Sequence, residues 1–527
     1  MNIRKKGLCI AAAVLCAVCS VSAVAPYNPL NISASAEYYE KEPHSYENLK
    51  YKRIDSDYKG TQYDPEYDYV LITGCDDSAV TINIPEEIDG LPVTKIDMSA
   101  FEDISSLENI IIPSSITEIG RDAFSGTKWL EKKQAENPLV TVNSILVDGT
   151  ACSGDVIIPE DVTKIVSHAF EGNKKITGIT IPESVTEIAG SVFKGCSELK
   201  TVSLPNGLTV LQGSTFRDCS ALESVNIPES VRNFGASVFY GCSSLKEITL
   251  PETITSLGYM MFAKCTSMES IELPENVIIG DAVFSGCTNL ENIIIPESIT
   301  DIGSAVFDKT KWLSNRQAEN PLVIVNNSVI DGSECTGNVV IPDNVVAICG
   351  DAFSNSEIKT VTIPYSVSKI GSVAFINCKS LSEVRIMNPA CEIADDATTF
   401  TDDFYEDSSF TGTIYGYDKS TAQQYAEKYG RKFALLDEPL VTTTSVSTAQ
   451  TTVSSETSTT VTTVTTPQTT ITGDANGDNK LDVRDAAYIA RMLASGKSLP
   501  MSADFNGDGK VNVRDAAAIA RHLASKK

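Results

Sequence analysis

The sequence Leu-Glu-Ser-Val-Asn-Ile-Pro at residues 222–228 recurs 23 residues later as Leu-Lys-Glu-Ile-Thr-Leu-Pro at residues 245–251. The last positions alternate, which puts two apolar side chains on one face of a short strand, and the proline ends its hydrogen bonding. A fixed period indicates stacked units that bury together a face that no single unit could bury alone. Prolines at this position follow one another at intervals of 23 or 22 residues: Pro159, Pro182, Pro205, Pro228, Pro251, Pro274 and Pro296.

Two intervals are twice as long, because Pro113 to Pro159 and Pro296 to Pro342 each span 46 residues. The period survives both, so each interval contains one irregular coil. The chain from Pro85 to about Met387 is therefore predicted to be a solenoid of roughly thirteen coils, about 60 Å long at a strand spacing of about 4.8 Å. We expect an internal stack of phenylalanines: Phe101, Phe124, Phe170, Phe193, Phe216, Phe239, Phe262, Phe284, Phe307, Phe353 and Phe375.

The irregular coils share a motif. Thr-Lys-Trp-Leu occurs at residues 127–130 and again at residues 310–313, followed each time by Gln-Ala-Glu-Asn-Pro-Leu-Val. The copies lie 183 residues apart, which indicates a duplicated block, and they contain both tryptophans of the chain. We expect Trp129 and Trp312 to cover the apolar core. The alternative is a pair of exposed protrusions that grip a ligand.

Cysteines recur in the repeat, three residues after a phenylalanine. Eleven cysteines follow the N-terminal apolar run, and because that number is odd at least one thiol is unpaired or intermolecular. Side chains on stacked coils point in parallel and not at each other, so we expect buried free thiols. The regular cysteines are Cys196, Cys219, Cys242, Cys265 and Cys287, and the same position holds Ile104, Thr127, Asn173, Thr310 and Ser356 in other coils.

The repeat unit Ile-Pro-Glu-Ser-Val-Thr-Glu-Ile at residues 181–188 resembles the BspA-like bacterial leucine-rich repeats. The resemblance implies a curved, mainly β and irregular leucine-rich-repeat solenoid with repeats of about 23 residues. Such solenoids occur on secreted or surface proteins and are commonly assigned to adhesion or protein recognition, so the resemblance does not imply an enzyme.

The N-terminus is typical of an export signal. Arg4, Lys5 and Lys6 precede an apolar run over residues 7–25, and Ser-Ala-Ser-Ala follows at residues 33–36. Cleavage is expected after Ala36, with Ala23 and Ala25 as alternatives, which predicts a secreted protein with no membrane span after cleavage. A retained anchor is the other interpretation.

Both ends of the solenoid need caps. A hairpin with Tyr69, Leu71 and Ile82 pointing inward is predicted before it, and a helix over residues 420–430, with Ser420 as N-cap, after it. The expected domains are a signal peptide (1–36), an N-terminal cap (37–84), the solenoid (85–389), a C-terminal cap (390–440), a Thr/Ser-rich linker (441–472) and a C-terminal module (473–527). The linker contains 21 Ser or Thr in 32 residues, which predicts a flexible tether that is plausibly O-glycosylated.

The C-terminal module contains two loops in register, thirty residues apart. Oxygen ligands at loop positions 1, 3, 5, 9 and 12, with a backbone carbonyl at position 7, suit a hard divalent cation, so two calcium ions are expected. Zinc is disfavoured because the module has no cysteine and only one histidine. The ligand positions are Asp474, Asn476, Asp478, Lys480, Asp482 and Asp485, then Asp504, Asn506, Asp508, Lys510, Asn512 and Asp515.

Each loop is followed by Ala-Ala-x-Ile-Ala-Arg-x-Leu-Ala-Ser, no helix precedes it, and Asp replaces the usual Glu at position 12. In these features the module resembles a type I dockerin. That resemblance implies a small all-α module with two EF-hand-like calcium loops that binds the cohesin of a cellulosomal scaffoldin, in either of two orientations. The implied cohesin-facing residues are Val483, Arg484, Ala490, Arg491, Val513, Arg514, Ala520 and Arg521.

Many dockerins have a Ser/Thr pair where this chain has Val-Arg, so the type of cohesin stays open. The alternative interpretation of the arginines is a solvated helix face.

The composition excludes nucleic acid as a partner, because 69 acidic residues against 42 basic ones give a net charge of −27 and a pI near 4.5. The repeats and caps leave no room for a catalytic domain. Outward strand positions are small or polar in the middle of the solenoid and apolar near both ends, which favours a protein or cell-surface ligand over a sugar. A carbohydrate-binding module and, less favoured, a polysaccharide hydrolase are the alternatives. The expected ligand face consists of Thr180, Ser203, Asn226, Thr249 and Glu272.

Overall fold

A computed structural model describes residues 38–39, 42–55, 67–402 and 409–436, together with residues 489, 505, 511, 518 and 519. The chain divides into two compact units, residues 1–441 and residues 442–527. Each is described by itself.

The N-terminal cap is a β-hairpin joined to the first coils. Strand β3 is antiparallel to β4, and β4 is parallel to β7, so the hairpin continues the parallel ladder of the coils. The strands up to the first irregular coil are β1 (Tyr38–Tyr39), β2 (His44–Tyr46), β3 (Leu49–Asp55), β4 (Tyr69–Cys75), β5 (Thr81–Asn83), β6 (Glu87–Ile88), β7 (Leu91–Ile96), β8 (Asn109–Ile111) and β9 (Glu118–Ile119).

The hairpin differs from the prediction in its burial. Tyr69 and Leu71 are buried, as expected, but they pack with Ile54 in a small separate cluster. The alternate residues Val70 and Ile72 point into the main core instead. Side chains alternate across a strand, and because β4 is covered on both faces, its pattern contains no polar face to mark which side is inside. Ile82 lies in the main core as predicted.

Most regular coils contribute two short parallel strands; the coil at residues 245–257 forms only the second of them, Ser256–Leu257. The first occupies the Leu-x-x-Val-x-Ile-Pro position, and the second is the Glu-Ile pair that follows the turn. Helix α1 (Lys128–Glu136) begins this part of the chain. The strands after it are β10 (Val140–Val142), β11 (Ile145–Asp148), β12 (Gly154–Ile157), β13 (Lys164–Ile165), β14 (Ile176–Thr180), β15 (Glu187–Ile188), β16 (Thr201–Ser203), β17 (Val210–Leu211), β18 (Ser224–Val225), β19 (Asn233–Phe234), β20 (Ser256–Leu257), β21 (Ser270–Glu272), β22 (Ile278–Ile279) and β23 (Asn292–Ile294).

Helix α2 (Lys311–Glu319) repeats α1 in the second copy of the block, and helix α3 (Thr421–Lys428) closes the C-terminal end. The strands of this part are β24 (Val323–Val325), β25 (Ser328–Asp331), β26 (Thr336–Val340), β27 (Ala347–Ile348), β28 (Glu357–Ile363), β29 (Lys369–Ile370), β30 (Phe375–Ile376), β31 (Glu383–Ile386), β32 (Glu392–Ile393), β33 (Phe400–Thr401), β34 (Thr413–Gly416) and β35 (Lys432–Leu435).

The predicted phenylalanine stack is confirmed, with two interruptions. From Phe170 to Phe307 neighbouring rings lie 5.2 to 6.0 Å apart between centroids. Phe101 and Phe124 form a separate stack, and so do Phe353, Phe375 and Phe400. Both interruptions fall at the irregular coils, where a tryptophan ends one stack and a new stack begins.

The predicted free thiols are also confirmed, since all eleven cysteines of the described residues are free and buried. The Cys242 thiol donates a hydrogen bond to the Phe216 carbonyl of the preceding coil at 3.1 Å, and the other regular cysteines repeat this contact. Burial raises the pKa of the Cys196 thiol to about 12. The thiols therefore bond backbone carbonyls between coils instead of one another.

The C-terminal cap follows the prediction. Ser420 is the N-cap of α3, and its hydroxyl accepts a hydrogen bond from the Gln423 amide. Gly430 adopts a φ of 64° just after the helix, a conformation that costs glycine little. The ring of Tyr425 meets Phe400 edge-on at 5.5 Å, so the helix covers the end of the last phenylalanine stack.

Candidate recognition face and docking module

The outward side chains of the first strands form two rows across the sheet. Registered pairs such as Ile157 with Thr180 and Thr180 with Ser203 show that equivalent residues of successive coils lie side by side. All five residues of the expected ligand face (Thr180, Ser203, Asn226, Thr249 and Glu272) are exposed. The second row lies two residues earlier in each coil.

A shallow groove of about 440 Å³ crosses the middle of this face. It brings together three of the expected residues, Asn226, Thr249 and Glu272, while Thr180 and Ser203 lie outside it. The sequence analysis missed the second row, although the same alternation of side chains along a strand would have found it. The groove is lined by Ser224, Val225, Asn226, Glu247, Ile248, Thr249, Ser270, Ile271, Glu272, Asn292 and Ile294.

The groove is acidic and has no compensating cation in its lining. Glu247 and Glu272 are the only charged residues among its lining residues, and both are exposed. At the edge of the sheet, by contrast, Glu291 forms an ion pair with Lys311, with 2.7 Å between Oε2 and Nζ. The lining also contains no aromatic ring, so it offers no platform for stacking a sugar.

The two irregular coils bound this part of the sheet. In each, a helix replaces the first strand, because the chain turns helical directly after Thr127 or Thr310. Each threonine is an N-cap whose hydroxyl accepts a hydrogen bond from the amide three residues on, at 3.1 Å. Each helix is hydrogen-bonded to the preceding coil: the Trp129 amide donates to the Leu107 carbonyl at 3.0 Å, and the Trp312 amide donates to the Leu290 carbonyl at 2.7 Å.

Both tryptophans are buried, at 6% and 5% exposure for Trp129 and Trp312. Trp312 lies 4.5 Å from Phe307 between ring centroids, and Trp129 lies 4.6 Å from Phe124. The expectation that they cover the core is confirmed, and the alternative of exposed gripping protrusions is wrong. Each indole ends a phenylalanine stack because no further ring follows in the irregular coil.

A carboxylate, buried at Asp148 and half-buried at Asp331, fixes each helix to the hairpin after it. Asp148 accepts a hydrogen bond from the Gln134 side chain at 2.8 Å, and Asp331 accepts one from Gln317 at 2.9 Å. Burial raises the pKa of both carboxyl groups, although the hydrogen bonds oppose the shift. The second copy of the block preserves the arrangement, which fixes the position of the helix at the margin of the face.

A second cavity, of about 250 Å³, is lined by residues of α1, of β11 and of the turn at Ser167 and His168. Ser167 Oγ lies 2.7 Å from His168 Nδ1, but the hydroxyl donates its proton to the Gly190 carbonyl at 2.6 Å. The serine hydroxyl therefore stabilises the turn through this hydrogen bond and is not an activated nucleophile. Within the part of the chain that the structure describes, no group of three or more His, Cys, Asp or Glu side chains is arranged to hold a metal ion.

Comparison with known families decides the class of the solenoid. The sequence model described as "BspA type Leucine rich repeat region (6 copies)" matches residues 94–223, 213–336 and 324–402, which together are more than half of the chain. This chain belongs to the BspA type leucine rich repeat family. The model described as "Dockerin type I domain" matches residues 472–524, so this BspA type protein carries a type I dockerin at its C-terminal end.

Solved structures that are similar to this BspA type protein include a leucine-rich repeat protein from Bacteroides ovatus, at 19% identity and a TM-score of 0.32, covering 75% of this chain and 100% of that one. A leucine rich cell surface protein from Faecalibacterium prausnitzii is 21% identical with a TM-score of 0.32, covering 67% and 95%. The T. pallidum leucine rich repeat protein is 22% identical with a TM-score of 0.26, covering 49% and 89%. No curated protein matches the chain.

The dockerin and the repeats are of non-catalytic types, and no catalytic domain is matched. Dockerins bind cohesins, leucine-rich repeats serve protein recognition, and both modules are typical of extracellular or cell-surface proteins. No described helix of this BspA type protein is long and apolar enough to cross a membrane.

The expected calcium ligands and cohesin-facing residues of the dockerin lie outside the described residues, as does the signal peptide. The described residues of the dockerin are Ile489, Phe505, Val511, Ala518 and Ile519, of which Ile489 and Ile519 are both helical and fully buried. They occupy equivalent positions after the two loops, thirty residues apart. Two equivalent buried helical residues fit a repeated loop–helix unit, and the Asp and Asn oxygens of the loops are the donors that calcium prefers.

Proposed function

We propose that this protein is a secreted, non-catalytic component of a cellulosome-type complex in a polysaccharide-degrading setting. Its dockerin anchors it to a scaffoldin cohesin in a calcium-dependent way, and its solenoid recognises a protein or cell-surface ligand. The single observation that supports this best is the pairing of a dockerin with a sheet-face groove whose lining contains polar side chains and no aromatic ring.

The proposed domains are those of the sequence analysis, with the linker at residues 441–472 and the dockerin at residues 473–527. Asp474, Asp478 and Asp482 in the first loop, and Asp504 and Asp508 in the second, would hold one ion each with their neighbours. Bound calcium supplies positive charge that neutralises carboxylates which otherwise repel one another, so folding of the dockerin is coupled to metal. Arg484 and Arg514 occupy equivalent positions in the two halves of the sequence, so either half would offer an arginine for docking.

The docking proposal is tested with immobilised type I cohesins and the full chain. We expect binding with calcium and its loss with a chelator, and a large loss in an Asp474→Ala/Asp504→Ala variant with calcium present. Arg484→Ala alone should weaken binding only slightly, because the second half can dock instead, whereas Arg484→Ala/Arg514→Ala should abolish it. Chelator-resistant binding to every cohesin tested would overturn the proposal.

Carbohydrate binding is the second candidate, and the buried tryptophans count against it. It predicts retention of the full chain on cellulose or xylan, and the hydrolase alternative predicts release of reducing sugar. We expect neither. For the solenoid, proteins captured from plant and microbial extracts should be lost when Asn226 or Glu272 is replaced and retained when Trp129 is replaced.

A further inference from the structure

The groove on the sheet face has a defined charge pattern. Glu272 is registered with Ile294, and Ser270 with Asn292, on the neighbouring strands β21 and β23. Glu247 lies in the preceding coil, where the Glu269 amide donates to the Lys246 carbonyl at 3.3 Å and so aligns the two coils. The two carboxylates are therefore diagonal neighbours, a separation of about 7–8 Å between backbones.

Neither carboxylate has a basic partner among the described residues. Other glutamates of the solenoid, by contrast, form salt bridges with a lysine of a neighbouring coil or helix. Examples are Glu108, Glu187 and Glu291, none of which lines the groove. No Lys, Arg or His lines the groove, and the whole chain carries a charge of −27. An anionic segment would be repelled here, while a cationic one would be attracted and steered.

One end of the groove is apolar. Ile294 is 58% exposed although it is a large aliphatic residue on a folded surface, and it lies directly beside Glu272. The other polar side chains of the lining are hydroxyls and amides, groups that form hydrogen bonds without adding charge. The face thus offers two carboxylates and, one strand further, an aliphatic contact.

We propose that the groove binds an extended protein segment with a lysine or arginine between Glu247 and Glu272 and an aliphatic side chain on Ile294. This inference rests on the proposed function of the solenoid as a protein-recognition module and names the chemistry of its partner. The absence of aromatic residues from the lining disfavours a glycan occupant. The carboxylates and Ile294 lie on three successive coils. The spacing of these coils therefore sets how far the aliphatic side chain of the partner lies from its cationic one.

The test is a selection of random twelve-residue peptides displayed on phage against the full chain, with the Glu247→Gln/Glu272→Gln variant as the counter-selection. We expect enrichment of peptides that contain Lys or Arg close to Leu, Ile or Val. A synthetic consensus peptide should bind at least about fivefold more weakly to that variant. Raising the salt from about 0.05 M to about 0.5 M should weaken it comparably.

Two matched controls separate this contact from general charge and apolarity. Glu252→Gln removes the same charge from an exposed turn outside the groove lining, and should leave binding unchanged. Ile294→Ser should weaken binding, whereas Ile111→Ser should not, because Ile111 is equally exposed at the equivalent position 183 residues earlier and lies outside the groove.

The proposal is overturned if the selection enriches nothing, if the enriched peptides are neutral or acidic, or if the peptide keeps its affinity for the double variant. Retention of the full chain on xylan or cellulose that needs Glu247 would overturn it as well. The calcium-dependent cohesin binding of the double variant should be unchanged, so failure of the groove and failure of the dockerin are distinguished. Natural proteins that bind the solenoid despite the double substitution would preserve the recognition function and exclude this occupant.

Discussion

The backbone of Gly149 lies directly against the ring of Phe170, so closely that a β-carbon at residue 149 would be 2.1 Å from ring atom Cε1. Gly332 has the same relationship to Phe353, at 2.4 Å. The first phenylalanine ring after each irregular coil therefore packs against a glycine backbone with no side chain in between. Both the glycine and the phenylalanine occur in each copy of the duplicated block.

Gly149→Ala should destabilise the solenoid by about 1–3 kcal/mol, because the methyl group has to displace a fully buried ring in a filled core. The measurement is the free energy of unfolding in denaturant. Gly207→Ala is the control, since a β-carbon there meets no atom within 4 Å, and it should change stability by less than about 0.5 kcal/mol. Equal effects of the two substitutions would contradict the assignment.

Trp312→Ala should cost about 3–5 kcal/mol through loss of the buried indole and the cavity left beside Phe307. Thermal unfolding of the full chain measures the cost. Arg316→Ala serves as the control, because the Arg316 guanidinium lies 4.3 Å over the outer face of the same ring and contributes little to the core. A ligand-binding defect in Trp312→Ala without a loss of stability would favour the gripping role that burial excludes.

Asp148→Asn should stabilise the protein at neutral pH. Burial raises the pKa of this carboxyl group in the folded state, so the stability linked to its protonated form is fully present below the unfolded pKa of about 4 and is lost as the pH rises. The neutral asparagine avoids that loss and can still accept from Gln134. The gain should disappear as the pH falls towards 4.

Glu108→Gln is the matched variant, for which the change in stability at neutral pH should have the opposite sign to that of Asp148→Asn. Hydrogen bonds from Lys132 and Lys128 lower the pKa of Glu108, so its stabilisation is present above the unfolded pKa and is lost in acid. This variant should be less stable than the parent at neutral pH and equal to it in acid. Chemical denaturation at several pH values measures both, and shifts of the same sign would contradict the assigned causes.

A thiol reagent such as DTNB should detect no cysteine of the folded solenoid on a timescale of minutes and all eleven after unfolding in denaturant. Burial raises the pKa of Cys391 to about 12 and that of Cys335 to about 11, so only a very small fraction of these thiols is the reactive thiolate at neutral pH. Rapid labelling of the native protein would mean that the coils open far more easily than their packing indicates.

The C-terminal helix was predicted from local signals, namely Ser420 as N-cap and Gly430 after the last turn. The period of the sequence was sufficient to predict the solenoid, its phenylalanine stack and the free thiols, because each depends on a contact that recurs from coil to coil. It did not predict the helices at residues 128–136 and 311–319. There the Thr N-cap and the local helix formers outweigh the repeat, and two Trp residues replace the ring stack. The hairpin residues Tyr69 and Leu71 were assigned to the main core because a strand covered on both faces has no polar side.

Three of the eleven residues that line the candidate groove, Asn226, Thr249 and Glu272, were predicted from the sequence. The row that contains Asn226 and Glu272 follows from alternation before the proline, whereas Glu247 belongs to the row two residues earlier. Only the register of successive coils shows that the two rows meet in one groove. The calcium loops at residues 474–485 and 504–515 stay a prediction of the sequence.

The hydrogen bonds from buried thiols to carbonyls of the previous coil make the regular cysteines of the solenoid structural donors that need no oxidant. Folding of this part of the chain therefore does not depend on a disulfide-forming catalyst, and the native form should be the same in air and under anaerobic conditions. The solenoid can be produced in a reducing cytoplasm without loss of structure.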